Sequence, residues 1–209
     1  LNALFIRVGR LQFIMLSLIC SGLVFFGRSF IGFWAGDDYA ISYWIALLLI
    51  VPVTFPLLQN LGIEMQRAMN RHKFRSWVYL FIALGNIAIT IPLVKAYGGV
   101  GAAVGTAIAL IIGNIILMNW YYHNRLGLNM LVFWKQIMGM IPALLPAFFL
   151  GYGIHLVADL TNLFQFIVSA LVFVCVFSLS MWKWGMNDNE RALVSKPLAI
   201  LKKKIPGLK

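Results

Sequence analysis

WVYLFIALGNIAITIPLVKAYGGVGAAVGTAIALIIGNIILMNWYY, residues 77–122, contains one charged side chain, Lys95. About 20 apolar residues in a helix span a hydrocarbon core about 30 Å thick, so the stretch has room for two crossings. Gly98-Gly99-Val100-Gly101 divides it into predicted helices over 77–97 and 101–122. The glycines form a turn and not a phosphate loop, because no Lys-Ser/Thr follows them and no strand precedes them. On the second helix Gly101, Gly105, Ala109 and Gly113 recur at a strict spacing of four. Four small residues on one face let a neighbouring backbone come close, which predicts tight helix packing. On the first, Arg75, Tyr79, Asn86, Thr90 and Tyr97 fall within about 60° of one another at about 100° per residue.

Four more runs of similar character flank this pair, at 11–31, 41–65, 137–157 and 163–184. None shows the alternation of a barrel strand, and lipid requires backbones that satisfy their own hydrogen bonds. The chain therefore reads as all-α, a membrane bundle of about six transmembrane helices over 1–186, followed by a basic tail over 187–209. The composition agrees, at 62% hydrophobic and 11% charged with a mean hydropathy of +0.89. A soluble domain carries roughly 25% charged residues.

A net charge of +11 raises nucleic acid as a partner, but the cations avoid the apolar runs and lie between them. That is the pattern of a membrane topology signal, and no nucleic-acid partner is expected. With six crossings, every Lys and Arg except Arg28 and Lys95 falls on one side, which the positive-inside rule makes cytoplasmic. Asp37, Asp38 and Asp159 fall on the other. Both chain ends are expected in the cytoplasm. The tail mixes Leu193, Leu198, Ile200 and Leu201 with lysines, as either a solvated basic tail or an amphipathic segment on anionic lipid would. The chain opens on Leu1-Asn2 without a signal-peptide pattern and reads as the C-terminal part of a longer protein.

No catalytic constellation is visible. His72, His123 and His155 stand in three different connections, without Cys or acidic residues at ligand spacing, and read as interfacial histidines. Cys20 and Cys175 lie inside apolar runs and fit small buried hydrophobes better than a disulfide or metal site. Neither a metal nor a cofactor is expected. Pro52 with Pro56, and Pro142 with Pro146, are expected to kink their helices. Such kinks suit cavity-lining helices and fixed packing alike.

Polar groups inside apolar runs are costly and usually face a bundle interior. Asn60, Glu64, Arg67 and Arg71 follow at steps of four, three and four, which places them on one face toward the cytoplasmic end of the second helix. Snorkelling at the interface accounts equally well for the charged three, and helix–helix hydrogen bonding for Asn86 and Thr90. Arg28 and Lys95 either anchor helix ends or rim a cavity that accepts an anionic group.

The stretch Pro56-Leu-Leu-Gln-Asn-Leu-Gly-Ile-Glu64 with Asn70-Arg-His-Lys-Phe-Arg-Ser76 resembles the bacterial polysaccharide flippases. These are the O-antigen and exopolysaccharide exporters of the multidrug/oligosaccharidyl-lipid/polysaccharide exporter superfamily. Tyr97-Gly-Gly-Val-Gly-Ala-Ala-Val-Gly-Thr-Ala107, Gly113-Asn114, Met118-Asn-Trp-Tyr-Tyr-His123, Gly127-Leu128 and Phe133-Trp-Lys135 continue in that family's order. The resemblance covers roughly residues 10–135 and rests on order and spacing. It implies the C-terminal half of a transporter with two helix bundles, the N-terminal one lying outside this chain. The cargo implied is a polyprenyl-pyrophosphate-linked oligosaccharide crossing the bacterial inner membrane, with membrane lipid and polysaccharide polymerase machinery as partners. Asn60, Glu64, Arg67, Asn86, Thr90, Arg28 and Lys95 become candidate path residues, with no catalytic role. A cation-coupled antiporter of the same fold would want an intramembrane acid, for which Glu64 is the candidate. A polyprenyl transferase would need clustered Asp or His, and the spacing gives none.

Overall fold

In a computed structural model, which describes residues 1–70, 73–193 and 195 apart from the side chain of Asp37, the chain is an all-α helical bundle. No strand occurs among the described residues. Arg71, His72, Val194 and 196–209, which carry one cation of the polar face on the second predicted helix, one histidine and most of the basic tail, lie outside them.

The first helix, α1 (Asn2–Ala35), begins well before the apolar run it was read from. At 1.5 Å per residue its 34 residues extend about 50 Å, so the end bearing Arg7 and Arg10 reaches past a hydrocarbon core. Hydropathy marks only the part of a helix that lipid touches, and charged residues beyond it continue the helix. Next comes α2 (Ile41–Leu58), with Pro52 and Pro56 inside it, and then α3 (Asn60–Ala68). The second predicted helix is thus broken at Gln59, three residues after Pro56. There the Gly62 N–H donates to the Gln59 carbonyl (2.8 Å) and not to Leu58. The amide nitrogen of Gln12, turned toward the break, reaches the freed carbonyls of Leu57 and Leu58 at 3.0 and 3.1 Å. A proline break inside a membrane bundle is tolerated where protein re-satisfies the backbone in this way.

The helix α4 (Lys73–Leu110) runs through a π-helical segment, Ile111–Met118, into α5 (Asn119–Arg125). Straight, these residues would extend about 80 Å. Instead the backbone reverses at Gly98, whose φ of 58° and ψ of −137° suit glycine alone. The second arm returns along the first. A Cβ on Gly101 would land on the Leu93 carbonyl, one on Gly105 would strike Thr90, and one on Gly113 would strike Ile82. Gly101, Gly105, Ala109 and Gly113 are all buried in this seam.

The last part of the chain comprises α6 (Met130–Met138), a 3₁₀ turn at Ile141–Leu144, α7 (Leu145–Val157) and α8 (Leu163–Ser180), extended by a π-helical turn, Met181–Gly185. The fifth crossing starts earlier than expected because Lys135 and Gln136 interrupt its hydropathy without interrupting the helix. The Asn129 side chain caps α6 by accepting from the Val132 N–H (3.2 Å). Between α7 and α8 the hydroxyl and N–H of Thr161 both donate to Asp159, which holds its carboxyl below the usual carboxylate range.

Helix α1 is the spine, packing on α2, α6, α7 and α8. Two cores form along it. One, at its N-terminal end, gathers Phe5, Leu58, Met118, Tyr122 and Phe133. The other, toward its C-terminal end, gathers Phe26, Ala147, Phe173 and Phe177. Among the described residues five helical stretches, Asn2–Ala35, Ile41–Leu58, Lys73–Arg125, Met130–Val157 and Leu163–Gly185, are long and apolar enough to cross a membrane, the third of them being the hairpin.

Candidate functional site

One end of the bundle collects polar side chains from the first helix, the α3–α4 region, α6 and the last described residues. Asn2 bonds the 127–129 turn through the Gly127 carbonyl (3.4 Å) and the Asn129 N–H (3.1 Å). Arg10, only 5% exposed, is ion-paired with Glu190, which is 2% exposed. The guanidinium Nε meets Oε1 at 2.6 Å and Nη2 meets Oε2 at 3.1 Å. Further bonds run from Arg10 to the carbonyls of Gly185 (2.8 Å) and Gln136 (3.2 Å). Glu190 in turn accepts from the Asn187 N–H at 2.9 Å, the reciprocal half of a capping box. The tail therefore starts inside the bundle, with residues 188–193 helical. Sequence reading took Arg10 for a topology charge and overlooked Glu190.

The path residues on α3 divide by face. Asn60, Glu64 and Arg67 are exposed, and Arg67 pairs with Glu64 at 2.8 Å. Between them lies Gln66, which is 0% exposed, with neither amide atom hydrogen-bonded. Beside it, at the start of α4, Arg75 stands 4.8 Å above the Tyr79 ring and donates from Nη2 to the Tyr79 hydroxyl (2.9 Å). The hydroxyl in turn donates to Asn114 Oδ1 (3.3 Å) in the π-helical segment of the second arm. The Asn114 nitrogen donates to the Leu110 carbonyl (3.2 Å). Ile63, Gln66, Arg67, Arg75, Ser76 and Tyr79 line an open groove of about 730 Å³. Gln66 was missed because it lies 100° or more around α3 from the polar face. An uncharged residue between Met65 and Arg67 gives no periodic signal.

Deeper along the hairpin, Thr90 and Thr106 both donate to Asn86 Oδ1, at 2.6 and 3.4 Å. Asn86 and Thr90 are half-buried against the second arm. Arg28 and Lys95 are exposed and lie toward the opposite end from Arg10 and Arg75. The structure thus joins Arg67 with Glu64 and Asn86 with Thr90, and keeps Arg28 and Lys95 apart from both pairs.

A second cleft, of about 370 Å³, opens between α1, α2 and the α6–α7 region. Its lining is apolar except for small groups, among them Ser17, Cys20, Ser21 and Thr54. Cys20 and Cys175 are free thiols, and Cys175 is exposed on α8 and not buried as expected. Among the described residues no three His, Cys, Asp or Glu side chains converge to hold a metal. Compared with protein families, curated proteins and solved structures, the chain matches none.

Proposed function

We propose that this chain is part of a flippase that carries polyprenyl-pyrophosphate-linked oligosaccharide across the bacterial inner membrane for surface polysaccharide synthesis. The chain forms its C-terminal helix bundle, and both described ends lie in the cytoplasm. The observation that carries the reading is the groove bearing Arg67 and Arg75 at one end of an otherwise apolar bundle, together with the order of motifs over residues 10–135. An amphipathic cargo needs cations for its pyrophosphate and an apolar surface for its chain. This bundle has a cationic groove and, separately, an apolar cleft.

The orientation follows from charge. Every described Lys and Arg except Arg28 and Lys95 lies toward the end where α1 begins, and that end is the cytoplasmic one. In this reading Asn60, Glu64 and Arg67 flank cytoplasmic entry, Asn86 and Thr90 lie along the path, and Arg28 and Lys95 offer positive charge near the outer exit. A cation-coupled antiporter is less well supported. Its candidate acid, Glu64, is exposed and engaged with Arg67, and the buried Glu190 is engaged with Arg10.

The test is complementation of a flippase-null strain by the full-length protein that contains this bundle. Arg67→Ala and Asn86→Leu should reduce surface glycan severalfold while membrane protein levels stay at wild type. Wild-type export by both variants would remove the proposed path, and failure of the unmutated protein to restore glycan would remove the flippase assignment.

A further inference from the structure

Among the described residues, the groove between α3 and α4 holds two donor nitrogens and one acceptor oxygen that find no partner within it. Arg75 Nη1 is buried without a hydrogen-bond partner, and so are both amide atoms of Gln66. The only described carboxylate near the groove, Glu64, is taken by Arg67, and Arg75 makes no ion pair among the described residues. A buried donor without an acceptor is costly, and more so when it is charged, so the groove favours a guest that supplies oxygens. Tyr79 fixes the Arg75 fork from below through its ring and hydroxyl, which orients the remaining nitrogen in advance.

We infer that Gln66, Arg75 and Tyr79, with Arg67 at the rim, form a binding site for a phosphoryl group. An anion with several acceptor oxygens would take Arg75 Nη1 and the Gln66 amide nitrogen together, the forked recognition at which arginine excels. Gln66 Oε1 then accepts from a P–OH or from a hydroxyl next to the phosphate. Arg67 is 67% exposed and contributes mainly long-range attraction. A phospholipid headgroup at the membrane surface and a free phosphate or pyrophosphate offer the same chemistry.

The inference rests on the groove that the flippase reading assigns to the cargo's pyrophosphate, and its test is separate because binding is measured without transport. The purified protein in phosphate-free detergent micelles is titrated with inorganic pyrophosphate, following intrinsic tryptophan fluorescence and the thermal midpoint. In parallel, it is placed in nanodiscs of phosphatidylcholine with or without phosphatidylglycerol, and co-purifying lipid is counted by native mass spectrometry. Saturable binding of pyrophosphate alone identifies a soluble phosphate as the occupant. Retention of phosphatidylglycerol alone identifies a lipid headgroup, and both responses together a site that accepts either.

Arg75→Gln should weaken whichever binding is seen at least tenfold. Gln66→Glu, which keeps the shape of the side chain and repels an anion, should do the same. Arg67→Gln should weaken it by less, and Lys183→Gln, which removes a charge from the same end, should leave it unchanged. Absence of both responses in the unmutated protein overturns the site. So does binding that survives both Arg75→Gln and Gln66→Glu. A protein that binds pyrophosphate yet fails to restore glycan would keep this site and lose the flippase assignment.

Discussion

The hairpin of residues 73–125 and the α1–α7–α8 core solve the same packing problem with opposite materials. In the hairpin the arms meet through Gly101, Gly105, Ala109 and Gly113, and polar groups such as Asn86 with Thr90 and Thr106 bridge what remains. In the core the contact is aromatic. Phe26 meets Phe173 and Phe166 at ring-centroid distances of 5.4 and 5.8 Å, and Phe25 meets Phe173 and Phe148 at 5.8 and 4.9 Å. Lipid tails are as apolar as these side chains, so neither seam is driven together by escape from water and both depend on fit. The seam of small residues is complete when nothing is added. The aromatic seam is complete when nothing is taken away.

That contrast is broken most sharply at Gly101. A single methyl there collides with the backbone at Leu93 and Val94, which cannot rotate aside. Gly101→Ala should therefore abolish accumulation of folded protein, read as loss of the monodisperse peak in detergent, whereas Ala109→Gly should leave that peak in place. A fully folded Gly101→Ala protein would show that the arms are free to separate.

A smaller effect is expected where atoms are removed from the aromatic side. Phe173, 1% exposed, should cost about 3–5 kcal/mol as Phe173→Ala and clearly less as Phe173→Leu, because the loss scales with the cavity left behind. Reversible unfolding in mixed micelles measures both, and equal losses would mean that ring geometry, not volume, sets the seam. The smallest expected change is Thr106→Val, which removes one long hydrogen bond while keeping shape. Bonds between membrane helices average about 0.6 kcal/mol, so the unfolding midpoint should barely move. A loss above about 2 kcal/mol would make the polar bridges, not the glycines, the strength of the hairpin.

Much of this architecture is legible in local sequence. A Gly-Gly pair between two apolar runs, and a four-residue repeat of small side chains, specify a hairpin whose contacts lie close in the chain. Asn86 with Thr90 is legible for the same reason, being one helical turn apart. Pairings between distant segments left no such trace. Gln136 and Lys135 hid the first turns of a crossing because a hydropathy average cannot separate a helix interrupted by polar residues from one that ends. The break at Gln59 was signalled by Pro56 only in general terms, and the reach of Gln12 from another helix to the carbonyls there left no local trace. Gln66 was invisible because burial of an uncharged amide depends on which neighbour covers it. Arg10 and Glu190, 180 residues apart, each have an ordinary reading alone.

That last pair bears on how the molecule is made. At roughly 5–20 residues per second, Glu190 is synthesised on the order of ten to forty seconds after Arg10. Throughout that interval the guanidinium has no carboxylate to meet, and it can remain only where water reaches it, at the membrane surface. The spine helix therefore gains its buried partner only when the segment bearing Glu190 arrives. Removing one partner of a buried ion pair destabilises by about 3–5 kcal/mol, so a chain cut short before residue 190 would keep that penalty permanently. The Arg10–Glu190 pair acts as a latch that closes only once residue 190 has been made.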